Sequence, residues 1–220
     1  MSVKTQNNAP WGLGRISSGA KLPATGPYKY KFNDDSNGKG VIAYVIDTGI
    51  NDKHVQFGGR ATKGPKFVTD PVPGIVTDDN DNQGHGTHCA GTIGSNDFGV
   101  AKDVEVVGIK VFNDLPGRHP LAGATNADIM AALEYVVKEF QRHKQPSVVN
   151  LSLGGDPSDA LDNTVAAAVR AGVLVCCAAG NAEPPRFIPV CIPPFGIGFF
   201  ANLHVRKMPR QLRLPERLWL

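Results

Sequence analysis

The stretch Val41-Ile42-Ala43-Tyr44-Val45-Ile46-Asp47-Thr48-Gly49-Ile50 decides how the rest of the sequence is read. Residues 41–46 are apolar throughout and largely β-branched, with no polar alternation. Such a run fits a strand buried on both faces, the kind found in parallel sheets sandwiched by helices. Asp47 closes the run and Thr48-Gly49 turns the chain away at once. Ligand and catalytic groups gather at the carboxyl ends of parallel strands. An acid that merely opens a turn is the plainer use of Asp-Thr-Gly, and this segment alone leaves both uses open.

Three more runs, β-branched or apolar nearly throughout, follow at Val104–Val111, Val148–Leu153 and Val173–Ala178. Between the first two of them, 127–143 places Ile129, Leu133, Val136, Val137 and Phe140 on one helical face; between the last two, 159–170 does the same with Leu161, Val165, Ala168 and Val169. This βαβ alternation predicts an α/β fold of three layers, a mainly parallel sheet with helices on both faces. Residues 63–83 and 114–126, rich in Gly and Pro with Asp or Asn, read as surface loops. Beyond Asn181 the pattern stops, and Pro184, Pro185, Pro189, Pro193 and Pro194 break both helix and strand. Residues 1–183 therefore read as one domain, and 184–220 as a Pro-rich tail expected to be poorly ordered.

A hydrophobic fraction of 41% with 20% charged residues is ordinary for a globular domain. The net charge of +3 divides unevenly. Residues 184–220 hold six basic side chains against Glu216 alone, which is +5 and leaves −2 on residues 1–183. The basic balance belongs to the tail, so no nucleic-acid partner is expected for the body. The segment Met1–Asn8 has no apolar core and is not a secretory signal. The longest apolar stretch, Ile188 to Leu203, is interrupted by prolines, and no membrane span is expected. Cys89, Cys176, Cys177 and Cys191 show no metal-ligand spacing and read as buried small apolar residues.

Three short segments carry the chemistry. In Gly84-His85-Gly86-Thr87-His88 the glycines let the backbone pass close to other groups, and His85 falls in the first turn of a helix. His85 and His88 could share a helix face as metal ligands, yet no glutamate lies between them. Metal site, catalytic base and structural pair all stay open on these residues alone. Val148–Gly155 reads as a strand ending in Ser152-Leu153-Gly154-Gly155, an edge that could pair with an extended peptide or simply turn. Ala178-Ala179-Gly180-Asn181 ends the next strand, where the Asn181 amide could donate to a developing oxyanion or serve an ordinary turn.

Taken together, Asp-Thr-Gly-Ile, His-Gly-Thr-His-Cys-Ala-Gly-Thr, Ser-Leu-Gly-Gly and Ala-Ala-Gly-Asn resemble, in order, the subtilisin-like serine proteases, in particular their proteinase K-like branch. The early segment Asn8-Ala9-Pro10-Trp11-Gly12-Leu13-Gly14-Arg15-Ile16-Ser17 resembles the start of that branch's mature enzymes, and the likeness extends over about residues 7–181. The resemblance implies that Asp47 orients the imidazole of His85 and that His85 is the general base. It implies that Asn181 serves the oxyanion hole and that Ser152, Leu153 and Gly154 line the substrate strand. Gly123-Ala124-Thr125 would match the opposite substrate strand. A peptide or protein substrate, a monomer and an extracellular setting are implied likewise. No cofactor is expected, because the family's calcium sites draw on later residues.

The family's Gly-Thr-Ser-Met-Ala segment, which carries the nucleophile, is not found, and the last serine is Ser158. The expectation is therefore an incomplete peptidase domain, inactive as it stands. A peptide-binding pseudoprotease is the alternative, and an unrelated α/β metal- or ligand-binding protein a third.

Overall fold

The structure, a computed structural model, describes residues 2–178; Asn181, Cys191 and the tail 184–220 lie outside the described residues. The chain opens with an antiparallel ribbon, β1 (Val3–Ala9) and β2 (Tyr28–Asn33), with the short helix α1 (Trp11–Ile16) between them. The main sheet follows: β3 (Ile42–Asp47), β4 (Ala61–Lys66), β5 (Glu105–Lys110), β6 (Ser147–Leu151) and β7 (Leu174–Cys177). Its helices are α2 (His85–Gly94), α3 (Asn126–His143) and α4 (Asp159–Arg170). The order is β4-β5-β3-β6-β7, and every neighbouring pair is parallel.

Alternation along β3 divides the core into two layers. Ile42, Tyr44 and Ile46 pack with Ile129, Leu133 and Val136 of α3 and with Val165, Ala168 and Val169 of α4. Ala43 and Val45 face the other way, onto Ala90 of α2, Phe57 and Val106. Both faces are thus covered, as the unbroken apolar run required. Each fully buried Val or Ile side chain contributes about 1.5–3 kcal/mol. The expected three-layer α/β arrangement is the one observed.

Connectivity explains why the end of β3 matters. From β3 the chain runs out to the edge strand β4 and returns by α2 to β5, on one side of β3; α3 then leads from β5 to β6, on the other side. The path thus reverses direction across the sheet around β3, and a crevice beyond its carboxyl end, at Asp47, is where ligands bind in sheets of this kind. Loop and helix are stapled together nearby. Thr125 caps α3 in a reciprocal box with Asp128, whose carboxylate also accepts the Thr69 hydroxyl at 2.9 Å.

Three elements differ from the sequence expectation. Residues 63–66, read as loop, belong to β4, which lies at an edge of the sheet beside β5. Gly64 and Pro65 hide this strand in the sequence; the register shifts between Lys63 and Lys66, and an edge bulge is where a strand tolerates proline. The β1–β2 ribbon was not expected: β1 is mostly exposed and lacks an apolar face, whereas β2 alternates Tyr28, Tyr30 and Phe32 with lysines, a two-residue period that does mark a strand. Cys176 is exposed and Cys89 and Cys177 are half-buried, so the buried reading of these cysteines does not hold. Leu174 and Cys176 share the face of β7 opposite Val175, whose side chain packs into the α3–α4 layer. No helix among the described residues is long and apolar enough to cross a membrane.

Candidate active site

Asp47 is brought to the crevice by β3 and is fully buried. His85 is brought to the same point by the first turn of α2, and its side chain remains 47% exposed. The His85 Nδ1 lies 2.7 Å from Asp47 Oδ1. An ionised carboxylate only accepts, so Nδ1 carries the proton and the Nε2 lone pair is left for another partner.

Close approach of the two elements depends on Gly86. A Cβ there would lie 2.2 Å from Gly49 O and 3.1 Å from Asp47 Cβ. The glycine after His85 is thus what lets the helix dock on the Asp47 turn. Two side chains complete the contact. Thr48 Oγ1 accepts Gly86 N–H at 2.8 Å and donates to Asp81 Oδ1 at 2.7 Å. Asp81 also accepts Gly84 N–H and Thr87 N–H, each at 2.8 Å.

Charge is distributed unequally over these acids. Burial pushes the Asp47 carboxyl above its ordinary value, against the pull of hydrogen bonds from His85 and Thr48 N–H. Its Oδ2 has no hydrogen-bond partner among the described residues. Burial acts upward on Asp81 too, yet hydrogen bonds from Thr87, Thr48 and Gly84 outweigh it and hold this carboxyl below its ordinary value.

That difference has a measurable sign. A carboxyl with a lowered folded pKa contributes stability above its unfolded value and loses it as pH falls through the folded value. Asp81 should therefore support the His85 turn above its ordinary value of 3.8 and release it below. Asp47, raised, contributes in the opposite sense, and its share fades as pH rises through its folded value. Urea unfolding of the chain and of Asp81→Asn, compared between about pH 2 and 6, should show a gap that closes on acidification. A gap independent of pH would show that the Asp81 charge contributes nothing.

Cys89, one helical turn after His85, extends the cluster. Its Sγ lies 3.9 Å from Nδ1 and 4.0 Å from Nε2 of His85, so the sulfur sits against the ring face. Ligand-type atoms of Asp47, His85 and Cys89 fall within 4.8 Å of one another and could offer a metal three ligands. A metal needs the in-plane lone pair of the ring nitrogen, and Nδ1 already points at Asp47, so the ring would first have to turn. His88, exposed, is not in this group. Burial raises the Cys89 thiol pKa, with a hydrogen bond to Ser152 acting against it. A thiol so placed is less ionised, hence less nucleophilic.

Ser152 reaches the site through that contact and also bonds Asn150, with Asn150 Nδ2 donating to its Oγ at 2.9 Å. β6 ends at Leu151, so Ser152, Leu153 and Gly154 follow it as a segment outside the ladder, with Leu153 half-buried and Gly154 exposed. Gly123 and Ala124 lie in the loop leading into α3, which Thr125 caps. Asn181 lies outside the described residues. Sequence reasoning missed Thr48, Asp81 and Lys110. The last is buried at the end of β5, paired in register with Asp47. A lysine closing an apolar strand was a signal of the same kind as Asp47.

The profile of the Subtilase family matches residues 38–197. The chain belongs to the Subtilase family. It is 44% identical to cerevisin of Saccharomyces cerevisiae over 184 residues, covering 80% of this chain and 27% of that protein. It is 39% identical to proteinase R of Parengyodontium album over 178 residues, covering 80% of this chain and 41% of that protein. Among solved structures, a cold-adapted subtilisin-like serine proteinase matches with a TM-score of 0.63 and 41% identity, over 79% of this chain and 57% of that one. The chain thus spans less than two thirds of these subtilases.

Proposed function

We propose that this chain supplies the acid–base pair of a subtilisin-type serine endopeptidase acting on peptides or proteins. In this reading His85 Nε2 takes the proton of a nucleophilic serine hydroxyl and later gives it to the leaving amine. Asp47 holds the Nδ1–H tautomer and offsets the imidazolium charge as it forms. Asn181 is the proposed oxyanion donor, and Ser152–Gly154 the strand that receives substrate. The reading rests on the 2.7 Å hydrogen bond between a buried carboxylate and a half-exposed imidazole at the crevice. Subtilase membership and the order of the motifs support it. No cofactor is needed for this proton relay. A monomer, a location outside the cell and no nucleic-acid partner belong to the same proposal.

The finer part of the proposal is that the 220-residue chain does not itself cleave peptides. The last serine in the sequence is Ser158. Ser158 caps α4 through Leu161 N–H at 3.3 Å, and Ser152 is engaged with Asn150. Neither offers a hydroxyl to Nε2. Purified chain incubated with a fluorogenic peptide is expected to show no turnover; turnover abolished by His85→Ala would overturn this. The exposed segment after β6 favours a second reading, a protein that binds peptides without cutting them. Saturable peptide binding that Gly154→Pro abolishes, without turnover, would select it.

A further inference from the structure

The helix that carries His85 begins without a capping side chain of its own. Gly84 precedes it at φ +85° and has no side chain to accept the first amides. Those amides are instead received from outside the helix. Asp81 takes Gly84 N–H and Thr87 N–H, and Thr48 Oγ1 takes Gly86 N–H. The same Thr48 hydroxyl donates to Asp81 Oδ1, so its single proton and a lone pair are both used. Of the two glycines flanking His85, Gly84 is therefore held by Asp81 and Gly86 by Thr48, whose neighbour in the chain is Asp47.

A third group fixes the frame from below. Lys110 Nζ donates to Thr48 O at 2.8 Å, Asn80 O at 2.9 Å and Asp114 Oδ1 at 2.8 Å. All three of its protons are thereby used in a nearly fully buried position. It ties the turn after β3, the loop entering α2 and the turn after β5 to one point.

We propose that Thr48 and Asp81 are positioning residues that set the His85 imidazole against Asp47, with Lys110 anchoring both. This rests on the reading of Asp47 and His85 as an acid–base pair. A shift of His85 relative to Asp47 by an ångström breaks the Gly86–Thr48–Asp81 chain of bonds before it breaks the helix. Such a misplacement alone costs an enzyme on the order of 10²-fold. The role is geometric: neither Thr48 nor Asp81 bonds the ring.

The test reads the hydrogen bond itself, in the 220-residue chain. The deshielded Nδ1 proton of His85 is observed by NMR and assigned by its loss in His85→Ala. Thr48→Val keeps the shape and removes both hydroxyl bonds; Thr48→Ser restores them. Asp81→Asn is a second, nearly isosteric probe, and circular dichroism reports folding in each. In Thr48→Val and Asp81→Asn the proton should exchange with solvent about tenfold faster or more, and in Thr48→Ser at the original rate. Asn37→Ala serves as control. Asn37 is buried at the opposite end of the sheet, where its Oδ1 accepts Lys102 N–H.

Unchanged exchange in folded Thr48→Val overturns the proposal, and so does equal acceleration by Asn37→Ala, which would mean a loss of general stability only. Should Thr48→Val not fold, Asp81→Asn decides by the same criterion. Failure of the acid–base reading looks different: the unsubstituted chain would then show no deshielded proton that His85→Ala removes.

Discussion

Extending the chain with the family's Gly-Thr-Ser-Met-Ala segment and the elements that carry it is expected to create peptide-bond hydrolysis. In that form His85→Ala should lower kcat on the order of 10⁶-fold, the scale known for subtilisin itself. The size follows from how the groups act together. A serine hydroxyl is a weak nucleophile until a base accepts its proton, and the base is competent only in the tautomer that Asp47 enforces. Removing the imidazole disables the serine as well, so the losses do not add. In the proposed reading, the 2.7 Å contact between Nδ1 and Oδ1 is the orienting half of this unit. An extended, folded form that cleaves peptides equally well with His85→Ala would remove His85 from the mechanism.

A second large effect is expected from adding one methyl group. Gly86→Ala drives a Cβ to 2.2 Å from the Gly49 carbonyl oxygen, and a backbone atom cannot swing aside as a side-chain end can. The helix would have to lift from the Asp47 turn, giving up the Gly86–Thr48 bond as well. Overpacking of this kind costs about 3 kcal/mol, which for a domain of this size is a fall in Tm of about 6–12 °C. Gly91→Ala, on the same helix, makes the contrast. Its Cβ would meet only Ser95 Cβ, at 4.0 Å. There the better helix propensity of alanine should stabilise by about 0.5–1 kcal/mol. Calorimetric scans of both variants decide the matter; equal melting temperatures would refute the docking role given to Gly86.

Legibility in the sequence followed the strength of burial. β3 announced itself because both faces are covered, leaving an uninterrupted apolar run, and β5 because Val106, Val107 and Ile109 stand between Glu105 and Lys110. α3 and α4 did so through their apolar periodicity. Asp47 stood out because it closes such a run, and His85 because glycines flank it at the first turn of a helix. β4 stayed hidden because an edge strand packs few side chains and accommodates Gly64 and Pro65. Thr48 and Asp81 stayed hidden for another reason. A threonine beside a glycine and an aspartate among Asp78, Asp79, Asn80 and Asn82 look like any polar turn. What sets them apart is a hydrogen bond across 33 residues of chain, and no local pattern encodes that.

The ammonium of Lys110 bears on how freely this region can change its sequence. Two of its three acceptors, at positions 48 and 80, are main-chain carbonyls, which every amino acid possesses. The third is the carboxylate of Asp114. Position 80 can accordingly drift without the ammonium registering it, whereas neutralising position 114 strands a charge in the interior. A family that diversified its loops while keeping its chemistry would find such a joint useful: it grips the path of the chain and ignores most of its spelling.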